Sequence, residues 1–169
     1  MPSEYPQNNA QRLIRSATIQ DTELILSFIK ALAKYERLEH EVVATEENLK
    51  QSLFGKTPKA EVLLIFLDKT PIGFALFFSN YSTFLGKPGI HLEDLFILED
   101  YRGCGHGKYL LQHVAQIAVL RNAGRLEWNV LDWNTPAIKF YQHLGAHPVA
   151  GWTTFRLTGN SLYNLGRTD

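Results

Sequence analysis

His91–Lys108 reads HLEDLFILEDYRGCGHGK. It opens with an apolar run of strand length, Leu92, Leu95, Phe96, Ile97 and Leu98, with Glu93 and Asp94 set inside it. It then turns through Glu99-Asp100 and enters Arg102-Gly103-Cys104-Gly105-His106-Gly107, with glycine at alternate positions directly before a helical pattern. Glycine permits positive φ and lets another group approach the main chain closely. Successive N–H groups curling into a helix start lack partners of their own and sit at the positive end of the helix dipole. Strand, glycine loop and helix together therefore make an α/β unit ending in a cradle for an anion, and the segment reads as a phosphate site.

Spacing decides which glycine loop this is. A Walker loop needs Gly-x4-Gly-Lys-Ser/Thr, but Gly107-Lys108 is followed by Tyr109 and the first glycine would fall on Arg102. A dinucleotide fingerprint fails as well, because its third glycine would fall on Lys108 or on Leu110. Arg102, Gly105 and Gly107 instead fill Arg/Gln-x-x-Gly-x-Gly/Ala after a central strand, which resembles the pyrophosphate loop of acyl-CoA N-acyltransferases of the GNAT superfamily. Leu131-Asp132-Trp133-Asn134-Thr135-Pro136-Ala137-Ile138-Lys139-Phe140-Tyr141-Gln142-His143-Leu144-Gly145-Ala146 is similar to the Asn-x-x-Ala-x-x-Phe-Tyr-x-x-x-Gly-Phe/Ala signature of the same superfamily. With Tyr35-Glu36, Leu92-Glu93-Asp94 and Gly151-Trp152 added, the chain resembles the diamine acetyltransferase branch, which contains the spermidine/spermine and thialysine acetyltransferases. The resemblance runs from Ile14 to Leu157.

The bulk numbers agree with such a protein. At 169 residues the chain is one domain by length, enough to bury about two-thirds of its unfolded surface. Hydrophobic content of 45% and charged content of 20% are ordinary for a soluble globular fold. Lys+Arg and Asp+Glu both number 17, so no net field draws nucleic acid or an anionic membrane. A single cysteine excludes an intrachain disulfide and a multi-cysteine metal site, and suits a reducing compartment. No window approaches a membrane span and the N-terminus lacks a signal pattern, so the expected location is cytoplasmic. The histidines show no metal spacing: His143 and His147 are four apart, but Gly145 and Pro148 break the helix that would align them, so no metal site is expected.

Along the chain, Met1–Gln11 reads as a disordered tail ahead of a domain over 12–169. Leu13–Thr18 is a strand, and Asp21 or Thr22 caps a helix whose Leu24, Ile25, Phe28, Ile29, Leu32 and Ala33 form an inward stripe. Thr45 begins a second helix, ended by Gly55 and Pro58. Glu61–Leu67 and Ile72–Phe78 flank the turn Asp68-Lys69-Thr70-Pro71 as an antiparallel hairpin, and Tyr81–Gly89 reads as a loop. After the central strand come a helix from Gly107 to Ala123, a strand Leu126–Asp132, a short helix capped by Asn134 or Thr135, a last strand Trp152–Leu157 and a weakly patterned tail. The order is α/β in a single domain, with parallel strands at Leu92–Leu98 and Leu126–Asp132. The resemblance implies the GNAT fold, a mixed central sheet flanked by helices, with a splay between those two strands that admits the pantetheine arm.

The same resemblance assigns roles. Gly103, Cys104, Gly105, His106, Gly107 and Lys108 would give main-chain N–H groups to the cofactor pyrophosphate, with positive charge from Arg102 and Lys108. Leu95, Phe96 and Ile97 would pair with pantetheine as an added strand; from residue type alone they are core. Asn134, Thr135, Pro136, Ala137 and Tyr141 match cofactor-binding positions, and Tyr141 the acid that protonates the departing thiolate. A phenol of pKa about 10 can protonate a thiolate whose pKa is about 8.5, judged from cysteine, when held within hydrogen-bond reach. Without the motif, Tyr141 reads as a ring buried on an amphipathic helix with a wet hydroxyl.

Glu93 sits among apolar neighbours, where a carboxylate's pKa tends upward. It can take a proton, through water, from an amine of pKa about 10.4, or it can serve as the structural partner of an arginine. Residue chemistry weighs the two equally and the family match favours the first. Tyr35, Glu36, Glu93, Asp94 and Trp152 match or adjoin acceptor-contact positions. Ser82 stands where spermidine-type members carry an acid, which favours a shorter lysine-like amine over a long polyamine. Cys104 lies where any residue is tolerated between glycines and is not read as a nucleophile.

The expected activity is direct acetyl-CoA-dependent transfer to the primary amine of a small cationic acceptor. Its rivals are acetylation of a protein or peptide amine and an acyl-CoA-binding sensor without turnover, which the presence of Tyr141 and Glu93 disfavours. The branch also implies a homodimer, with Trp152–Leu157 packing across a two-fold axis.

Overall fold

Val62, Leu63, Leu64 and Ile65 are consecutive and all buried, the mark of a strand covered on both faces. They lie in the second strand of a five-stranded sheet, seen in a computed structural model that describes residues 11–167. The strands are β1 (Arg12–Ser16), β2 (Glu61–Leu67), β3 (Thr70–Ser82), β4 (Lys87–Ile97) and β5 (Leu126–Trp128), in spatial order β1-β2-β3-β4-β5. The first four pair antiparallel and β5 adds to β4 in parallel, so the sheet is mixed. The helices are α1 (Thr22–Glu36), α2 (Glu46–Phe54), α3 (His106–Leu120), α4 (Thr135–His143) and α5 (Gly159–Gly166). The chain divides into two compact units, one ending at Asn129 and the other beginning at Val130.

In the first unit one sheet face carries a row of side chains aligned by register: Leu64 opposite Phe74, and Phe74 opposite Phe96. The inward stripe of α1 meets this row. The Phe28 ring stacks on Phe74 at 5.6 Å and tilts toward Phe96 at 6.4 Å, with Ile25, Leu49, Leu53 and Val62 closing the cluster. Burial of each such side chain contributes roughly 1.5–3 kcal/mol. α3 packs against β3 and β4 through Leu110, Leu111, Val114 and Ala118, and its Gly107 faces Ile97, which belongs to the opposite sheet face. A Cβ on Gly73 would collide with the carbonyl of Phe96, so only glycine lets the two middle strands run this close.

The entry to α1 is fixed by charge. Asp21 takes a two-pronged hydrogen bond from Arg15, at 2.7 Å on each oxygen, together with the Thr18 N–H, and these donors hold its carboxyl well below the usual range.

Several expected elements shift. The segment expected as a loop at Tyr81–Gly89 is mostly the continuation of β3 and the start of β4, joined by a turn over 83–86. The strand expected at Leu126–Asp132 stops at Trp128. Among the described residues the second unit carries α4 and α5 but no strand: Trp152–Leu157 forms no ladder, and no described strand offers it a partner. The helix α5 replaces the expected unpatterned tail. Of the tail expected at Met1–Gln11, all but Gln11 lies outside the described residues; Gln11 exchanges hydrogen bonds with Asp68. Among the described residues no helix is long and apolar enough to cross a membrane.

Candidate active site

β4 loses its parallel neighbour early. Pairing with β5 covers Ile90, Leu92 and the residue between them, then ends, while β4 continues to Ile97. The Leu98 N–H goes to the Ile72 carbonyl of β3, so by alternation the main chain of Leu95 and Ile97 faces the other side. Past Leu92 no described strand pairs with β4 on that side. This is an open edge of the kind an extended ligand joins.

The strand is also irregular at the point where its carboxylates lie. Leu76 faces Asp94 and Phe77 faces Leu92, so Glu93 has no counterpart and forms a β-bulge. The bulge reverses the alternation. Ile90 and Leu92 share a face with Phe77, whereas Asp94 and Phe96 share the opposite face, under α1, with Leu76 and Phe74.

Glu93, expected among apolar neighbours, has a side chain that is 57% exposed, with His91 Nε2 3.7 Å from its carboxylate. Asp94 is the carboxylate that is pressed. Burial first, then the charges of Glu93 and of Glu36 on α1, push it up to about 7. Burial raises Glu36 too. Tyr35 and Glu36 end α1, close enough to Asp94 for the Glu36 charge to act on it.

The glycine loop starts at the end of β4. Gly103 and Gly105 take φ of +77° and +79°, and Gly105 is the residue before α3, so both need glycine. His106, Gly107 and Lys108 form the first turn of α3, whose N–H groups have no helical acceptor. His106 is 8% exposed; its Nδ1 has no hydrogen-bond partner among the described residues, and burial, reinforced by Arg12, lowers its pKa. Lys108 and Cys104 are exposed. Asp94 and Ile97 are three residues apart on β4, about 10 Å at strand rise, so acid cluster and loop are neighbours.

Arg102 is placed differently from a free phosphate ligand. Its Nε–H donates to the Ile97 carbonyl at 2.8 Å, and its guanidinium packs on the rings of Tyr35 at 4.3 Å and Phe96 at 5.3 Å. Ser82 is only 6% exposed, with its Oγ accepting from the Leu85 N–H inside the hairpin turn. It lies opposite Lys87, at the far end of β4 from Ile97.

The second unit holds the other motif. Asn134, 7% exposed, caps α4 by accepting the Ala137 N–H at 3.3 Å, with Pro136 in the first turn. Thr135 is exposed, and Tyr141 is half-buried against Phe140 at 5.1 Å. Trp152 is 77% exposed. Sequence reasoning did not anticipate the Arg102 stack or the elevated Asp94. The bulge that creates the latter leaves no trace in composition or periodicity.

Comparison with known proteins follows the same lines. A sequence model described as the Acetyltransferase (GNAT) family matches residues 26–146, running across the boundary between the two units. L-ornithine N5-acetyltransferase NATA1 of Arabidopsis thaliana is 36% identical, covering 92% of this chain and 88% of its own length. Thialysine N-epsilon-acetyltransferase of Mus musculus is 32% identical over 92% of this chain and 98% of its own. An integron cassette protein from the mobile metagenome of V. cholerae shares the fold, with a TM-score of 0.78 at 24% identity over 93% of this chain and 98% of that one.

Proposed function

The chain belongs to the acetyltransferase (GNAT) family, and from that premise we propose that it moves the acetyl group of acetyl-CoA directly onto the primary amine of a small cationic acceptor. The observation that carries the reading is the run along β4: an acid pair at a bulge, an open strand edge, then a glycine loop at a helix start. The open edge at Leu95–Ile97 suits an amide-bearing arm, and the loop N–H groups from Gly103 to Lys108 suit a diphosphate. Asn134, Thr135, Pro136 and Ala137 are the further cofactor contacts in this reading.

The acceptor is a cation that must bind charged and react neutral. Glu36, Glu93 and Asp94 supply the negative field that attracts it, with Tyr35 and Trp152 as further contacts. Glu93, open to solvent, takes the ammonium proton through water, and Asp94, poised near 7, is matched to hold or share it. Tyr141 returns a proton to the sulfur. Ornithine and thialysine, named in the relatives, are both amino acids ending in a primary amine. This supports a short amino-acid amine over a peptide.

Thiol release from acetyl-CoA, followed across L-ornithine, thialysine, lysine, putrescine, spermidine and short peptides, tests the reading. Turnover with the amino-acid amines is expected; no thiol release with any acceptor overturns it. Tyr141→Phe should lower kcat by about 10²-fold with the acetyl-CoA dissociation constant unchanged, and full turnover in that variant removes the assigned acid. We also propose a cytoplasmic homodimer. The single cysteine supports the first part. The exposed Val149, Trp152, Phe155, Leu162 and Leu165 of the second unit support the second.

A further inference from the structure

Arg102 ties the glycine loop to two other parts of the first unit at once. Tyr35 lies in the last turn of α1, Ile97 is the final residue of β4, and Arg102 itself opens the glycine loop. Its Nε edge is committed to the Ile97 carbonyl and its planar face to the rings of Tyr35 and Phe96. These contacts use the Nε–H and the planar face, not the pair of Nη groups with which a guanidinium can also meet an anion end-on. They join the helix carrying Glu36 to the strand carrying Asp94.

We propose that Arg102 is a positioning residue: it clamps the last turn of α1 to the end of β4 and so links occupancy of the glycine loop to the order of the acid cluster. A loop already held in shape loses less freedom when an anion binds. Loosening the clamp from the α1 side therefore weakens acetyl-CoA binding, although Tyr35 is no part of the loop. By reciprocity, bound acetyl-CoA tightens the amine site. The inference deepens the acetyltransferase reading and rests on it.

The test is the acetyl-CoA dissociation constant, measured by calorimetry without amine, for wild type, Tyr35→Phe, Tyr35→Leu, Arg102→Lys and the Tyr35→Leu/Arg102→Lys double variant. Tyr35→Phe keeps the ring and should bind acetyl-CoA more tightly than Tyr35→Leu. Tyr35→Leu should weaken binding on the order of five-fold. Arg102→Lys keeps the charge but loses the planar fork, and should weaken it similarly. The double variant should be no worse than Arg102→Lys alone. An unchanged constant in Tyr35→Leu, or a double variant whose loss is the product of the single losses, overturns the clamp. Where Tyr35→Leu does not fold, Arg102→Lys decides, and wild-type affinity there overturns it. Wild type that takes up no acetyl-CoA overturns the acetyltransferase reading and the clamp together; wild type that binds while the cycle fails overturns the clamp alone.

Discussion

Asp94 and Glu93 are adjacent acids with different surroundings, and the difference sets a pH dependence. Asp94 is raised to about 7 by burial and by its acidic neighbours Glu93 and Glu36, so it is half neutral near physiological pH and ionised above it. A cationic acceptor of pKa about 10.4 stays protonated throughout this range. Its binding should therefore strengthen as pH rises from 6 to 8, seen as a falling KM for the amine. Asp94→Asn should flatten that profile and leave KM high at both ends; a slope retained in the variant would move the titrating group elsewhere. The stability sign is the opposite. A carboxyl raised in the fold costs nothing below its unfolded pKa near 3.8, and the stability it leaves intact there is lost as pH rises through 7. Binding strength and fold stability thus pull against each other at one side chain.

At the scale of elements, the start of α3 depends on one backbone angle. Gly105 sits at φ +79° with open space around it, so Gly105→Ala meets no collision, only the left-handed strain of about 1–2 kcal/mol. Gly107 has no such angle, and a Cβ there would make ordinary contact at 3.8 Å with Ile97. Gly105→Ala should lower the melting temperature by several degrees and weaken acetyl-CoA binding, while Gly107→Ala should melt as wild type. Equal melting temperatures would show that the loop does not require the positive angle. The glycine spacing made this loop legible in the sequence, as did the stripe Leu24 to Ala33 and the Asn134 cap, because each is a local pattern with a local cause. Trp152–Leu157 shows the limit: its residues have strand propensity, but a strand exists only with a partner, and the described chain gives it none. Asp94 shows another, since strict alternation from Leu92 would put it on the Leu92 face, away from α1 and Glu36.

For the molecule as a whole, the first unit has a closed core while the second leaves Phe155 92% exposed, and Trp152, Leu162 and Leu165 are exposed as well. Apolar surface of that kind is what a second copy would cover. Size-exclusion with light scattering should give twice the 19.2 kDa chain mass; a monomer at micromolar concentration would count against the dimer. A different consequence follows from Glu93. It is the one position in β4 between Lys87 and Ile97 with no rung opposite it, so a chain from which it was excised would keep every other rung of the hairpin and all its register. Such a shortened chain should fold and melt within about 4 °C of the parent, yet turn over poorly. Architecture and chemistry would then be separable by removing a single supernumerary residue.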